Sequence, residues 1–183
     1  MTRRQVLATF GIAGAWCALP GLRTAVAAPT SIGARLVANY GSRRGYRTVR
    51  QAALAWHHTT RNACVAFAST ALREVGVAVP RPGPDGTEQI SRLTGPFVTY
   101  LEATLGWRRV LDVDTLVPGD LAFTIDAPCC PGYPAHVVVF VRWHQRARRI
   151  AIVIDNGGRA RRRPMLGDAA RDLDAFAFAI RPA

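Results

Sequence analysis

The hydrophobic period of this chain changes once, near Gly106, and that change restricts the fold more than any single motif does. Before it, apolar residues recur at helical spacing: Ile32, Leu36, Val37 and Tyr40 form one such segment, closed by Gly41, and a nearly unbroken apolar run covers residues 63–75. After it, short β-branched runs follow one another at residues 107–111, 120–125, 136–143, 149–155 and 175–180. Helices first and consecutive strands later, with no strand–helix repeat, predict an α+β fold of N-terminal helices packed on an antiparallel β-sheet.

Local signals set the expected boundaries. Asn62 is read as the N-cap of the apolar helix and Gly76 as its stop, so Cys64 falls in the first turn. The basic stretch 42–60 offers only a short helix around residues 49–56. Pro80, Pro82, Gly83, Pro84 and Gly86 read as a loop, followed by short helices at 87–93 and 97–105. Pro118-Gly119 marks a turn into the second strand, and residues 157–164, which hold Arg159, Arg161, Arg162 and Arg163, read as a loop.

Residues 1–27 read as an export signal. Arg3 and Arg4 precede a mildly apolar Gly/Ala-rich run ended by Pro20, and Ala25-Val26-Ala27 suits cleavage before Ala28. The run is too short to span a bilayer, and Arg23 interrupts any extension, so no transmembrane span is expected. Trp16 fits lipid attachment at Cys17 poorly, and Cys17 is read as lost with the signal. The pattern resembles a twin-arginine signal, which implies a periplasmic or secreted protein. Residues 28–183 then form a single domain, long enough to bury a core without a disulfide framework or structural metal.

All 24 basic side chains are Arg, against 12 acidic ones. Losing Arg3, Arg4 and Arg23 lowers the formal charge from +12 by three, to +9. Arg-rich coding from a GC-rich genome is the plainer explanation. The charge still favours anionic cell-envelope polymers, and export turns the reading away from nucleic acid.

A reactive cysteine needs help to become a thiolate, a base within hydrogen-bond reach, and a group that orients the base. Cys64 sits at a helix N-terminus, where unpaired amides favour negative charge. His136 opens an apolar strand, and Asp155-Asn156 closes the next. If those strands pair as an antiparallel hairpin, His136 lies beside Asp155-Asn156. Cysteine on an apolar helix also suits plain core, and Asp155-Asn156-Gly157-Gly158 also suits a plain turn. His57 and His58 read as loop polar residues, with one of them at the rim of a cleft as the lesser reading.

NACVAF, LVPGDLAF, AHVVVFV, IVIDN and the closing AFAFAIRP together resemble, in order, the papain-like cysteine peptidases and amidases of the CHAP and NlpC type. The resemblance runs from about Asn62 to the end of the chain. It implies hydrolysis of peptide or amide bonds, most naturally in cell-wall peptidoglycan, by a monomer without a cofactor or metal. Cys64 is then the nucleophile, His136 the general base and acid, and Asp155 or Asn156 the orienter. Three positions depart from the pattern. Ala63 stands where NlpC-type enzymes typically have Asp, and Asn62 is the nearest amide where CHAP enzymes often carry Gln. Asp155 and Asn156 are adjacent where CHAP domains commonly place Glu, a spacer and Asn. Successive strand residues face opposite ways, so only one of the pair can reach His136, and Asp155 is favoured.

Two rivals stand beside this reading. One is a non-catalytic member of the same fold that binds anionic wall polymer or lipid headgroups through Arg159–Arg163. The other is a thiol-redox or metal protein built on Cys129-Cys130, which either form a vicinal disulfide or join His136 in binding a metal.

Overall fold

The computed structural model describes residues 31–83, 88–171 and 173–182. The expected export signal, with Cys17, and Pro84 and Gly86 of the expected loop lie outside the described residues. The elements in chain order are α1 (Ile32–Tyr40), α2 (Arg43–His57), α3 (Cys64–Glu74), α4 (Glu88–Arg92), α5 (Thr94–Thr99), β1 (Arg108–Val110), β2 (Leu121–Thr124), β3 (Val137–Gln145), β4 (Ile150–Asp155), β5 (Gly158–Pro164) and β6 (Phe176–Arg181). A π-helical turn, Tyr100–Thr104, prolongs α5. All six strands form one antiparallel sheet in the order β1-β6-β2-β3-β4-β5. The fold is α+β. No helix among the described residues is long and apolar enough to cross a membrane.

Helix α3 forms because nothing in it prefers water: Cys64 through Leu72 are all buried. A helix apolar on every side belongs inside a core, and α3 is held between α1, α2 and the sheet. It ends in a Schellman motif, with Val77 N–H on Leu72 O and Gly76 N–H on Arg73 O, both at 3.0 Å, and Gly76 at φ +87°. Its start differs from expectation. Ala63 is the N-cap and makes no side-chain bond, while Asn62 sits one residue earlier in the left-handed region at φ +53°.

Two expected loops are regular structure. Residues 43–57 form one 15-residue helix, α2, whose buried stripe is only Gly45, Val49 and Ala53. Small side chains at i, i+4 and i+8 give a close helix contact but little hydrophobic signal. Ser42 caps it, accepting Gly45 N–H at 2.9 Å. Residues 158–164 form β5, an edge strand whose arginines mask the usual alternation. Charged side chains are a common protection for an exposed sheet edge.

The sheet is buried on both faces at its centre. In β3, Val137 and Val139 pack toward the helices, while Val138 and Phe140 join Leu116, Ala122, Val153, Met165 and Ala179 in a second, smaller cluster behind. The Pro118-Gly119 turn closes with Asp120 N–H on Val117 O at 3.1 Å and places Gly119 at φ +94°. Gly119 also abuts the Gly33 backbone of α1, leaving no room for a side chain. Asp120, fully buried, takes a two-pronged bond from Arg181, with Nε on Oδ1 at 2.9 Å and Nη2 on Oδ2 at 2.7 Å. That fork ties β2 to the end of β6.

Removing one partner of a buried ion pair leaves the other uncompensated, which typically costs about 3 kcal/mol. Asp120→Ala is therefore expected to lower unfolding stability by about that amount in urea titration, with the slope unchanged. A loss below about 1 kcal/mol would show that the pair is solvated and structurally idle.

Candidate active site

Cys64 is the first residue of α3, so the amides of that turn lack intrahelical partners. With no side chain capping them, they are available to the sulfur, and the backbone amides of Val65 and of Val137 in β3 favour its anionic form. His136 immediately precedes β3 and is fixed by its backbone: its N–H donates to Thr124 Oγ1 at 2.9 Å, and its carbonyl accepts Thr124 N–H at 3.1 Å. The imidazole bridges two partners. Nε2 lies 3.2 Å from Asp155 Oδ2, and the ring also stands beside Cys64, close enough for each to shift the other's titration. With Nε2 committed to Asp155, Nδ1 is the nitrogen left for sulfur.

The structure thus brings Cys64, His136 and Asp155 together and turns Asn156 away. Asp155 is the last residue of β4, which pairs antiparallel with β3, so the hairpin sets its carboxylate beside the imidazole. Asn156 instead donates from Nδ2 to Thr60 O at 2.8 Å and accepts Tyr46 O–H on its carbonyl at 3.3 Å. It fastens the 59–62 loop, which leads into α3, to the end of the sheet. The orienter position therefore falls to Asp155, and the Asn156 alternative is corrected by the opposite directions of adjacent side chains.

Burial differs along the line, with His136 the most exposed member and Asp155 the least. Cys64 is 8% exposed, and the side chains of His136 and Asp155 are 21% and 1% exposed. Burial pushes the Cys64 thiol up, but the His136 hydrogen bond and charge and the two backbone amides outweigh it, so the thiol titrates below its ordinary value. Burial pushes His136 down, yet its bonds to Asp155 and Cys64, with their charges, carry it up to about 9. Burial pushes Asp155 up, and the bond and charge of His136, the charge of Arg161 and the Gly157 N–H bring it below the usual carboxylate range. The three directions agree: each group favours the charged form of its neighbour, sulfur as thiolate, ring as imidazolium and Asp155 as carboxylate.

Two surroundings of this line were not legible beforehand. Arg161, on β5, places Nη1 3.2 Å from Asp155 Oδ1 and 3.0 Å from Oδ2. Asp155 Oδ1 also accepts Gly157 N–H at 2.8 Å, an Asx turn that locks the carboxylate. Tyr40 and Tyr46 stack at 5.5 Å beneath the site, and burial holds the Tyr40 hydroxyl well above its ordinary value. The only advance signal for Arg161 was its place after a strand end, and an arginine run hides which member turns inward.

A cleft of about 850 Å³ opens onto the sulfur. Its lining includes His57, Arg61, Asn62, Leu93, Cys130 and Tyr133. His57 thus stands at the rim, while His58 ends α2 in the left-handed region at φ +64°. Cys129 and Cys130 are joined as a disulfide, and Cys64 is the free thiol among the described residues. Their sulfurs are consequently not thiolate ligands, and no group of three or more His, Cys, Asp or Glu among the described residues is placed to hold a metal. The chain matches no family model, no curated protein and no solved structure.

The rate at which iodoacetamide labels Cys64 is expected to rise with pH through an inflection below that of an ordinary thiol, and in His136→Ala, where burial acts without its main opponent, that inflection is expected to move upward. Coincident pH profiles for the two proteins would rule out coupling between sulfur and imidazole.

Proposed function

We propose that this protein is an exported, papain-like cysteine peptidase or amidase that hydrolyses peptide or amide bonds, with cell-wall peptidoglycan as the first substrate to test. The observation that carries the reading is one continuous line: a thiol at a helix N-terminus, an imidazole beside it, and a buried carboxylate 3.2 Å from ring Nε2, with thiol and imidazole opening on a cleft. The order of sequence motifs and the α+β architecture support it.

In this mechanism the Cys64 thiolate attacks the carbonyl carbon, and the carbonyl oxygen takes the negative charge. The carbon–nitrogen bond then breaks as the His136 imidazolium gives its proton to the leaving amine, leaving a thioester. Water attacks the thioester while neutral His136 takes a proton from it. The carbon–sulfur bond breaks, the acid is released, and the thiolate–imidazolium pair is restored. Asp155 keeps Nε2 protonated and the ring aimed at sulfur.

The oxyanion needs two donors. Cys64 N–H is one. Asn62 is the best-placed second: it is exposed on the cleft, two residues before the sulfur, in a left-handed conformation that turns the chain there. A non-glycine residue held in that region at a site rim is a recurrent mark of function.

Purified muropeptides are expected to be cut by the wild type and left whole by Cys64→Ala. Intact muropeptides in both incubations would end the wall-hydrolase reading. Where cleavage occurs, Asn62→Ala is expected to lower kcat by about 10²-fold with little change in KM. Activity is expected to fall above pH about 9, as His136 loses the proton it must deliver.

A further inference from the structure

Charge in this molecule is segregated, not merely abundant. All 12 acidic residues lie at position 74 or beyond, so α1 and α2 carry arginines with no carboxylate of their own. Glu102 pairs with Arg109, Asp114 with Arg149, Asp120 with Arg181 and Asp168 with Arg171, all elsewhere; Asp155 pairs with Arg161 of β5 but is buried and offers no exposed carboxylate to this side. Arg43, Arg44, Arg47 and Arg50 are exposed on α2, and Arg159 and Arg162 are exposed on β5. Among the described residues none of these six makes an ion pair with a carboxylate.

The two sets form one face. Arg159 Nη1 reaches Gly41 O, between α1 and α2, at 3.4 Å, and Tyr46 of α2 bonds to Asn156 at the β4–β5 turn. Arg43, Arg47 and Arg50 follow i, i+4, i+7 spacing, a row about 6 and 10 Å long from its first member at 1.5 Å per residue. A row suits a linear polyanion better than a single small ion. GC-rich coding explains the arginines but not the exclusion of acids from this side. Protection of a sheet edge explains β5 but not α2.

We propose that the α2–β5 face docks a linear phosphodiester polymer without bases. Guanidinium forks match phosphate oxygens in pairs, and exposed cations gain from releasing the polymer's counterions. A bilayer fits less well: the exposed large apolar side chains are Leu93, Leu111, Val117, Ile125, Tyr133 and Leu166, none on α2 or β5 to enter the acyl region. Single-stranded nucleic acid fits less well because, among the described residues, no aromatic side chain on these two elements is fully exposed as a platform for bases, and duplex DNA, which needs no platform, is a competitor in the test.

The test uses the full domain with Cys64→Ala, so that binding is read independently of hydrolysis. Fluorescent poly(glycerol phosphate) is titrated by polarisation, with phosphatidylglycerol vesicles and duplex DNA as competitors at equal phosphate. Arg43→Gln/Arg44→Gln/Arg47→Gln is expected to weaken binding at least about tenfold and to flatten its salt dependence. Arg108→Gln/Arg142→Gln/Arg148→Gln removes the same charge from other exposed positions and is expected to stay within about threefold. If the first variant loses its far-UV dichroism, Arg159→Gln/Arg162→Gln reads the same face. Equal losses in both triple variants, no loss in the first, or tighter binding to DNA or vesicles than to the polymer would each overturn the proposal.

Discussion

The Asp155 carboxylate is the point on which the rest of the site turns. It is almost fully buried, yet it stays charged, because three donors converge on it: the His136 ring, the Arg161 guanidinium and the Gly157 amide. A buried carboxylate so satisfied cannot rotate without breaking several bonds at once, and the imidazole inherits that rigidity. The sulfur inherits it in turn. Were the carboxylate free to swing, burial would neutralise His136 and push the thiol up, and the pair would lie dormant at neutral pH.

The fold makes this line possible by dividing the labour between sheet and helix. Strands β3 and β4 pair antiparallel, so the start of one adjoins the end of the other, and His136 meets Asp155 across that edge. Helix α3 is buried on every side, so its N-terminus has no freedom to drift from the same edge. Asn156 completes the arrangement by anchoring the loop that precedes the helix. A core that fixes a helix end against a hairpin end needs no contribution from loops except to stay out of the way.

The sequence carried the α+β layout because the change of period is a hydrophobic signal, and Cys64, His136 and Asp155 stand at ends of strongly apolar segments. What it hid has a common cause. Helix α2 buries only Gly45, Val49 and Ala53, too little apolar mass to be seen among arginines. Strand β5 is mostly arginine, and Arg161 could not be told from Arg159 or Arg162 until the Asp155–Gly158 pairing set the register. Asn62 was read as a cap because Asn favours that position; the same residue type also tolerates left-handed backbone, and that preference prevailed. Strand alternation limited the orienter to one of Asp155 and Asn156, and the bonds of His136 to Asp155 and of Asn156 to Thr60 decide which.

Cys130 of the disulfide lines the same cleft as Cys64, and the loop bearing it is pinned by Gly132 N–H donating to Asp126 Oδ2 and by the Asp126–Pro134 bridge. Three sulfurs therefore share one neighbourhood with opposite needs: one must be reduced to react, two are oxidised to keep their ring closed. Dithiothreitol added to arm the first also attacks the other two. Handling of this protein is thus a matter of redox poise, with full reduction and full oxidation each giving up one half of the cleft.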